Sequence, residues 1–299
     1  MGMDLSTFFQ QLANAISLGS LYALLAIGYT MVYGILRLIN FAHGDIFMFG
    51  AYIAFYSMTT FVLPWWASFL IAILLTIAFG LLVERAAYKP LRNSPKMSVM
   101  ISAIGASFLI ENLAIVVFGG RPKSLPVPDL FDTIIHFGKV SIVSITFITP
   151  VITLLVLALL LFVVNKTKTG MAMRAVSKDY EAARLMGIDV NWIISITFAI
   201  GSGLAAIGGI MWGLKYPSLL PLMGLMPGLK CFIAAVVGGI GDIKGAVIGG
   251  FTLGILEIMT IAFFPSLTGY RDAFAFILLI VILLIKPTGI MGKNIAEKV

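Results

Sequence analysis

Residues 5–36 read LSTFFQQLANAISLGSLYALLAIGYTMVYGIL, a run without one charged side chain. A helix rises 1.5 Å per residue, so about 20 apolar residues cross the roughly 30 Å hydrocarbon core of a bilayer. This run exceeds that length, and the pattern recurs down the chain. Ile46 to Val83 is uncharged and long enough for two helices around Pro64-Trp65-Trp66. Met97 to Ile110 continues past Glu111 to Gly120, and Val140 to Asn165, Val190 to Leu214 and Ala246 to Phe264 follow. Leu229 to Gly241 is too short for a straight crossing, and Ala273 to Ile285 needs the residues before it. The expectation is an all-α polytopic helical membrane protein, a single domain over residues 1–299. It should have about 8–9 transmembrane helices, with broken or re-entrant segments.

Composition agrees. Of 299 residues, 60% are apolar and 11% charged, and the mean hydropathy is +1.07. A soluble domain carries about a quarter of its residues as charges, so a water-soluble enzyme and a disordered chain are excluded. Cys231 is the single cysteine, which excludes an internal disulfide and a cysteine metal cluster. Two histidines, His43 and His136, leave little for a histidine metal site. The net charge of +7 fits the positive-inside bias of membrane proteins rather than nucleic-acid binding.

The basic residues orient the chain. Segment 84–96 carries Arg85, Lys89, Arg92 and Lys96, and segment 166–184 carries Lys166, Lys168, Arg174, Lys178 and Arg184. Placing both inside, with Arg37, Lys244, Lys286, Lys293 and Lys298, puts 14 of the 20 basic residues in the cytoplasm and six outside. The N-terminus then lies outside and the C-terminus inside. The outer loop Gly119 to Lys139 holds Pro122, Pro126 and Pro128, so it is expected to be extended rather than helical. Gly238-Gly239-Ile240-Gly241-Asp242 should break a helix, and a break at depth is tolerated only beside a cavity or inside protein. Gly44-Asp45-Ile46 recurs as Gly241-Asp242-Ile243.

Two blocks carry a resemblance. Asn40-Phe41-Ala42-His43-Gly44-Asp45 follows Gly28-Tyr29-Thr30-Met31-Val32-Tyr33-Gly34 and precedes Gly50-Ala51-Tyr52. Gly238 to Ala246 runs into Gly249-Gly250. With Glu84 to Arg92 and Pro287-Thr288-Gly289-Ile290, these resemble the H-type permease of bacterial branched-chain amino-acid ABC transporters over nearly the whole chain. The resemblance implies a multi-pass subunit of the bacterial cytoplasmic membrane that imports neutral aliphatic amino acids. It further implies a related second permease, two ATPase subunits and an extracytoplasmic binding protein. Permeases for urea and short amides look similar, so that cargo stays open. A stand-alone secondary transporter is the rival from another class, and the lack of ion-site carboxylate clusters argues against it. A membrane enzyme finds no metal cluster and no evident Ser/His/Asp arrangement among the intramembrane residues. No Walker A pattern occurs, so ATP and Mg belong to the partners and this chain needs no cofactor.

The longest inward segment, about 166–190, contains Asp179, Glu181, Ala182, Ala183, Arg184 and Gly187. Ser177 or Asp179 can cap a short helix that Gly187 ends. Glu-Ala-Ala followed by Gly resembles the coupling motif that docks on an ATPase, with small alanines permitting close approach. For the pathway the candidates are Asn40, His43, Gly44, Asp45, Glu111, Asn112, Gly239, Gly241 and Asp242. Structural readings stand beside these. Asp45 reads as a helix cap, His43 as a packing histidine, and Glu111 as a hydrogen bond between helices through Asn112. Glu257 reads as structural rather than in contact with substrate.

Overall fold

The computed structural model describes residues 4–92, 94–138 and 140–292. The chain begins with α1 (Leu5–Leu36), α2 (His43–Thr59) and α3 (Trp65–Val83), which runs on through a wide turn at Glu84–Tyr88. Next come α4 (Lys96–Phe118), β1 (Lys123–Ser124), α5 (Asp129–Asp132), β2 (Ile134–Phe137) and β3 (Val140–Val143). The middle holds α6 (Ser144–Lys166), α7 (Lys168–Lys178), α8 (Tyr180–Leu185) and α9 (Val190–Lys215). The last part is β4 (Ser218–Leu219), α10 (Leu225–Gly238), α11 (Ile243–Phe263) and α12 (Arg271–Ile285).

Seven of the described helical segments are long and apolar enough to cross a membrane. The apolar helices α2 and α10 are shorter, 17 and 14 residues. Together they make the expected polytopic helical bundle. Helix α1 is its axis, packed along α11 and also against α6, α9 and α10. A Cβ on Gly250 would strike the Ala23 backbone, and one on Gly254 would strike Gly19. Small residues four apart thus let the two helices touch, because lipid supplies no hydrophobic drive and van der Waals contact must hold them. Helices α4, α6 and α12 lie outermost and expose Val116, Leu155 and Leu284, a surface suited to lipid.

One end of the bundle gathers Arg37, Glu84–Arg92, α7, α8 and the α10–α11 turn. Tyr180 donates its hydroxyl to the Ile35 carbonyl there, and Arg92 pairs with buried Glu84 and reaches Asn191 at 2.5 Å. At the other end Trp65 meets Phe131 edge-on at 5.6 Å, and β1 pairs antiparallel with β4, Lys123 opposite Leu219. The segment after Gly119 is mostly extended, as its prolines predict, but it includes the one-turn helix α5 directly after Pro128. Proline is tolerated at a helix start, where its missing N–H has no partner to lose. Lys139, Lys293 and Lys298 lie outside the described residues.

Several expectations are corrected. The break at Gly239–Asp242 is not at depth but is the reversal between α10 and α11. Gly239 and Gly241 take φ 111° and 97°, values that glycine alone adopts cheaply. Ile290 and Met291 donate to Val237 and Gly238 and close this turn. The breaks at depth lie elsewhere. After Arg37 the chain climbs back, and the His43 ring lies against Gly28, eight residues or about 12 Å inside α1. After Lys215 residues 216–224 return inward until Gly224 meets Gly44. Helices α2 and α10 therefore both start inside the bundle and run to opposite ends. Lys230, counted as external from its charge, is 5% exposed and pairs with Glu257 at 2.8 Å and Asp272 at 2.6 Å. Asp45 is not the cap of α2: Ala42 is, and no side chain closes that end.

Candidate functional site

The two interior helix starts define the site. A Cβ on Gly44 would collide with the Gly224 carbonyl, and one on Gly228 would stand 3.2 Å from the Gly44 Cα. Backbone therefore meets backbone where α2 and α10 begin. Between this contact and α4 lies a half-open cavity of about 180 Å³. Tyr29, Asp45, Ser107 and Glu111 supply its polar groups. Ile104, Phe108, Leu225 and Leu229 are its apolar walls. The positive ends of two helix dipoles point into it.

Asp45 sits in the first turn of α2 and accepts a hydrogen bond from Ser107 Oγ at 2.6 Å. Glu111 is one turn along α4 from Ser107, 8% exposed. Among the described residues its carboxylate has no hydrogen-bond or ion-pair partner. The reading of Glu111 as bonded between helices through Asn112 is not what forms: Asn112 is exposed and donates to Phe108 O on its own helix at 2.7 Å. Of the pathway candidates, Gly44, Asp45 and Glu111 reach the cavity. His43 lies tilted against Tyr29, ring centroids 4.6 Å apart, and its Nε2 has no partner among the described residues. Asn40 accepts from the Tyr88 hydroxyl at 2.9 Å and so braces the climbing segment. Gly239, Gly241 and Asp242 lie at the basic end, where Asp242 caps α11 through Gly245 N at 3.0 Å.

Tyr29, Ser107, Gly224 and Gly228 complete the site and were not singled out in the sequence. Ser107 and Glu111 are four apart in an apolar run, hence on one helix face, and Gly224 and Gly228 share that spacing. That was the available signal. Glu257 joins an interhelical ion network. It accepts from the Tyr22 hydroxyl at 2.8 Å and pairs with Lys230 and Arg271, tying α1, α10, α11 and α12 together.

The second region is α8. Asp179 caps it, accepting from Glu181 N at 2.9 Å and Ala182 N at 3.0 Å, while Ser177 turns its hydroxyl back to Arg174 O. Gly187 ends it with φ 79°. Glu181, Ala182 and Arg184 are exposed, but Ala183 is buried inside this chain. The apolar residues that α8 offers outward are Leu185 and Met186, 88% and 82% exposed. Burial pushes the Tyr180 phenol up, with Arg37 and Arg92 pulling the other way. The neutral hydroxyl is the form that donates to Ile35 O.

Residues 11–283 match the family described as branched-chain amino acid transport system / permease component. The chain belongs to that family. The permease is 41% identical, over 98% of both chains, to the high-affinity branched-chain amino acid transport system permease protein LivH of Escherichia coli. It is also 41% identical, again over 98% of each, to the corresponding protein BraD of Pseudomonas aeruginosa. Its fold is similar to that of a chain in PsaBC from Streptococcus pneumoniae in complex with Fab, with TM-score 0.52 and 15% identity, covering 94% of this chain and 93% of that one. The permease is thus a membrane transport component, not an enzyme.

Proposed function

We propose that the permease is the membrane subunit of an ATP-driven importer for branched-chain amino acids in the bacterial cytoplasmic membrane. It forms the pathway with a second, related permease; two ATPase subunits bind ATP and Mg, and an extracytoplasmic protein delivers the cargo. The basic end faces the cytoplasm, the N-terminus lies outside, and segment 166–190 of the single domain carries the coupling to the ATPase. Asp179, Glu181, Ala182, Arg184 and Gly187 shape that contact together with Leu185 and Met186. Ala183 supports it from within.

The supporting observation is the placement of α8. It presents two bare apolar side chains at the basic end, where a soluble partner can cover them. Through Tyr180 it holds the last turn of α1. The next residues of the chain, 37–42, climb to the cavity at Gly44 and Asp45. A push on α8 is therefore applied one short segment from the proposed pathway. Two permeases enclosing the half-open cavity would complete its wall.

The test is uptake and ATP hydrolysis by the complex reconstituted with its partner subunits and binding protein. Leu185→Glu together with Met186→Glu is expected to abolish leucine uptake and cargo-stimulated hydrolysis, with the permease still in the membrane fraction. Normal uptake by this variant overturns the coupling role of α8. Uptake of urea without uptake of leucine, isoleucine or valine overturns the cargo.

A further inference from the structure

We propose that Asp45 and Glu111 form an ammonium-binding subsite in the cavity where α2 and α10 begin, taking the α-ammonium group of the transported amino acid. The amino-acid part rests on the function proposed above. The subsite itself rests on the cavity.

A carboxylate at membrane depth costs about 3 kcal/mol even on insertion scales, so it is kept where something answers its charge. Among the described residues no cation or hydrogen-bond donor answers Glu111, which is 8% exposed and lines the cavity; the positive ends of α2 and α10 offset only part of its charge. Asp45, in the first turn of α2, has the Ser107 hydroxyl as its one side-chain partner among the described residues. The nearest cation along α10 is Lys230, two residues beyond the Gly228 wall. Its ammonium is already committed to Glu257 and Asp272, toward α11 and α12. The two acids therefore face the cavity with no cation partner among the described residues.

The walls decide which cation fits. Inorganic ions such as calcium take about six to eight oxygen ligands. Here the side-chain oxygens are those of Asp45, Glu111, Ser107 and Tyr29, and the rest of the lining includes the apolar Ile104, Phe108, Leu225 and Leu229, which suits a cation that carries an aliphatic group. A primary ammonium needs only three acceptors, which two carboxylates and one hydroxyl supply. An aliphatic chain attached to it can lie on the apolar wall. An ammonium of the same chemistry could also come from a lysine of the second permease, and the test separates the two.

A thiol reporter is placed in the cavity as Ile104→Cys in a Cys231→Ala background, with both acids kept. Leu229→Cys serves as a second position, and each variant is first checked for normal amounts in the membrane. Membrane vesicles containing the full chain with its partner subunits are labelled with aminoethyl, methyl or sulfonatoethyl methanethiosulfonate. Rates are taken relative to those on a free thiol in solution. The cationic reagent is expected to react about tenfold faster than the neutral one, since an acidic cleft concentrates cations. Adding Glu111→Gln should remove most of that preference. Leucine and 3-methylbutylamine should slow labelling, while 4-methylpentanoate and sodium chloride at equal concentration should not.

Equal rates for the cationic and neutral reagents would mean that the acids are already neutralised, by a partner lysine for example, and overturn the subsite. Protection by sodium as strong as by the amine overturns the ammonium assignment. Protection by the amine without protection by leucine overturns the assignment to the transported amino acid. Labelling does not depend on transport, so a failed uptake assay removes the importer reading and leaves this result standing.

Discussion

At the scale of single residues, the sharpest constraint is the space at Gly44. Its neighbour is the Gly224 carbonyl, a backbone atom that cannot rotate away. Gly44→Val is expected to destabilise the permease by about 1–3 kcal/mol or more, the cost of overpacking. Gly105→Val on α4 meets nothing within 4 Å and should be neutral. Thermal unfolding of the detergent-purified protein checks both, and equal melting of the two variants would refute the close approach. Glu257 offers a second test, because its carboxylate serves Tyr22, Lys230 and Arg271 together. Removing one partner of a buried ion pair costs about 3–5 kcal/mol, and the loss here should be smaller because Lys230 keeps Asp272. Glu257→Gln should therefore lower the melting temperature clearly, and pairing it with Lys230→Met should recover part of the loss. If the double variant melts lower than the single, the ion network is not what Glu257 contributes.

At the scale of elements, α8 separates what faces out from what faces in. Ala183 reads in sequence as part of a surface for close docking, yet it packs within its own chain. Ala183→Glu would bury an unpaired charge there, so it should reduce the amount of folded permease rather than coupling alone. Asp179→Ala removes two N-terminal hydrogen bonds and should destabilise the helix by about 1 kcal/mol. Uptake should fall while the protein level stays normal. Immunoblots of membrane fractions beside uptake assays distinguish these outcomes. A normal level of Ala183→Glu would place that side chain outside after all. In the α1–α11 pair, Gly250→Leu should prevent close packing and lower the folded yield.

For the whole molecule, the prediction concerns orientation. All the described basic residues of segments 84–92 and 166–184 lie at one end, and Lys123 lies at the other. In a Cys231→Ala background, Lys123→Cys should react with an impermeant maleimide added to intact cells. Lys178→Cys should react only after the membrane is opened. The reverse result would invert the bundle and move α8 away from any cytoplasmic ATPase.

How much was legible follows from the range of each interaction. Hydropathy and charge are properties of short windows, so the sequence alone determined the helical membrane class, the positions of the spans and the gathering of basic residues at one end. Its motifs pointed to the permease family, and cap chemistry offered Ser177 or Asp179 for the start of α8 and Gly187 for its end, because a cap forms within a few residues; the structure chose Asp179. The depth at which α2 and α10 begin was not legible. Such helices are apolar on nearly all sides, so no periodic pattern shows which face or level meets a neighbour. The glycine break at Gly239–Gly241 looked like the one at Gly44, since both are short turns before an acid. Only packing set one at the basic end and the other inside. Asp45 and Glu111 stand 66 positions apart in the sequence, and only the tertiary structure, by laying α4 across the start of α2, brought their carboxyl groups into one cavity.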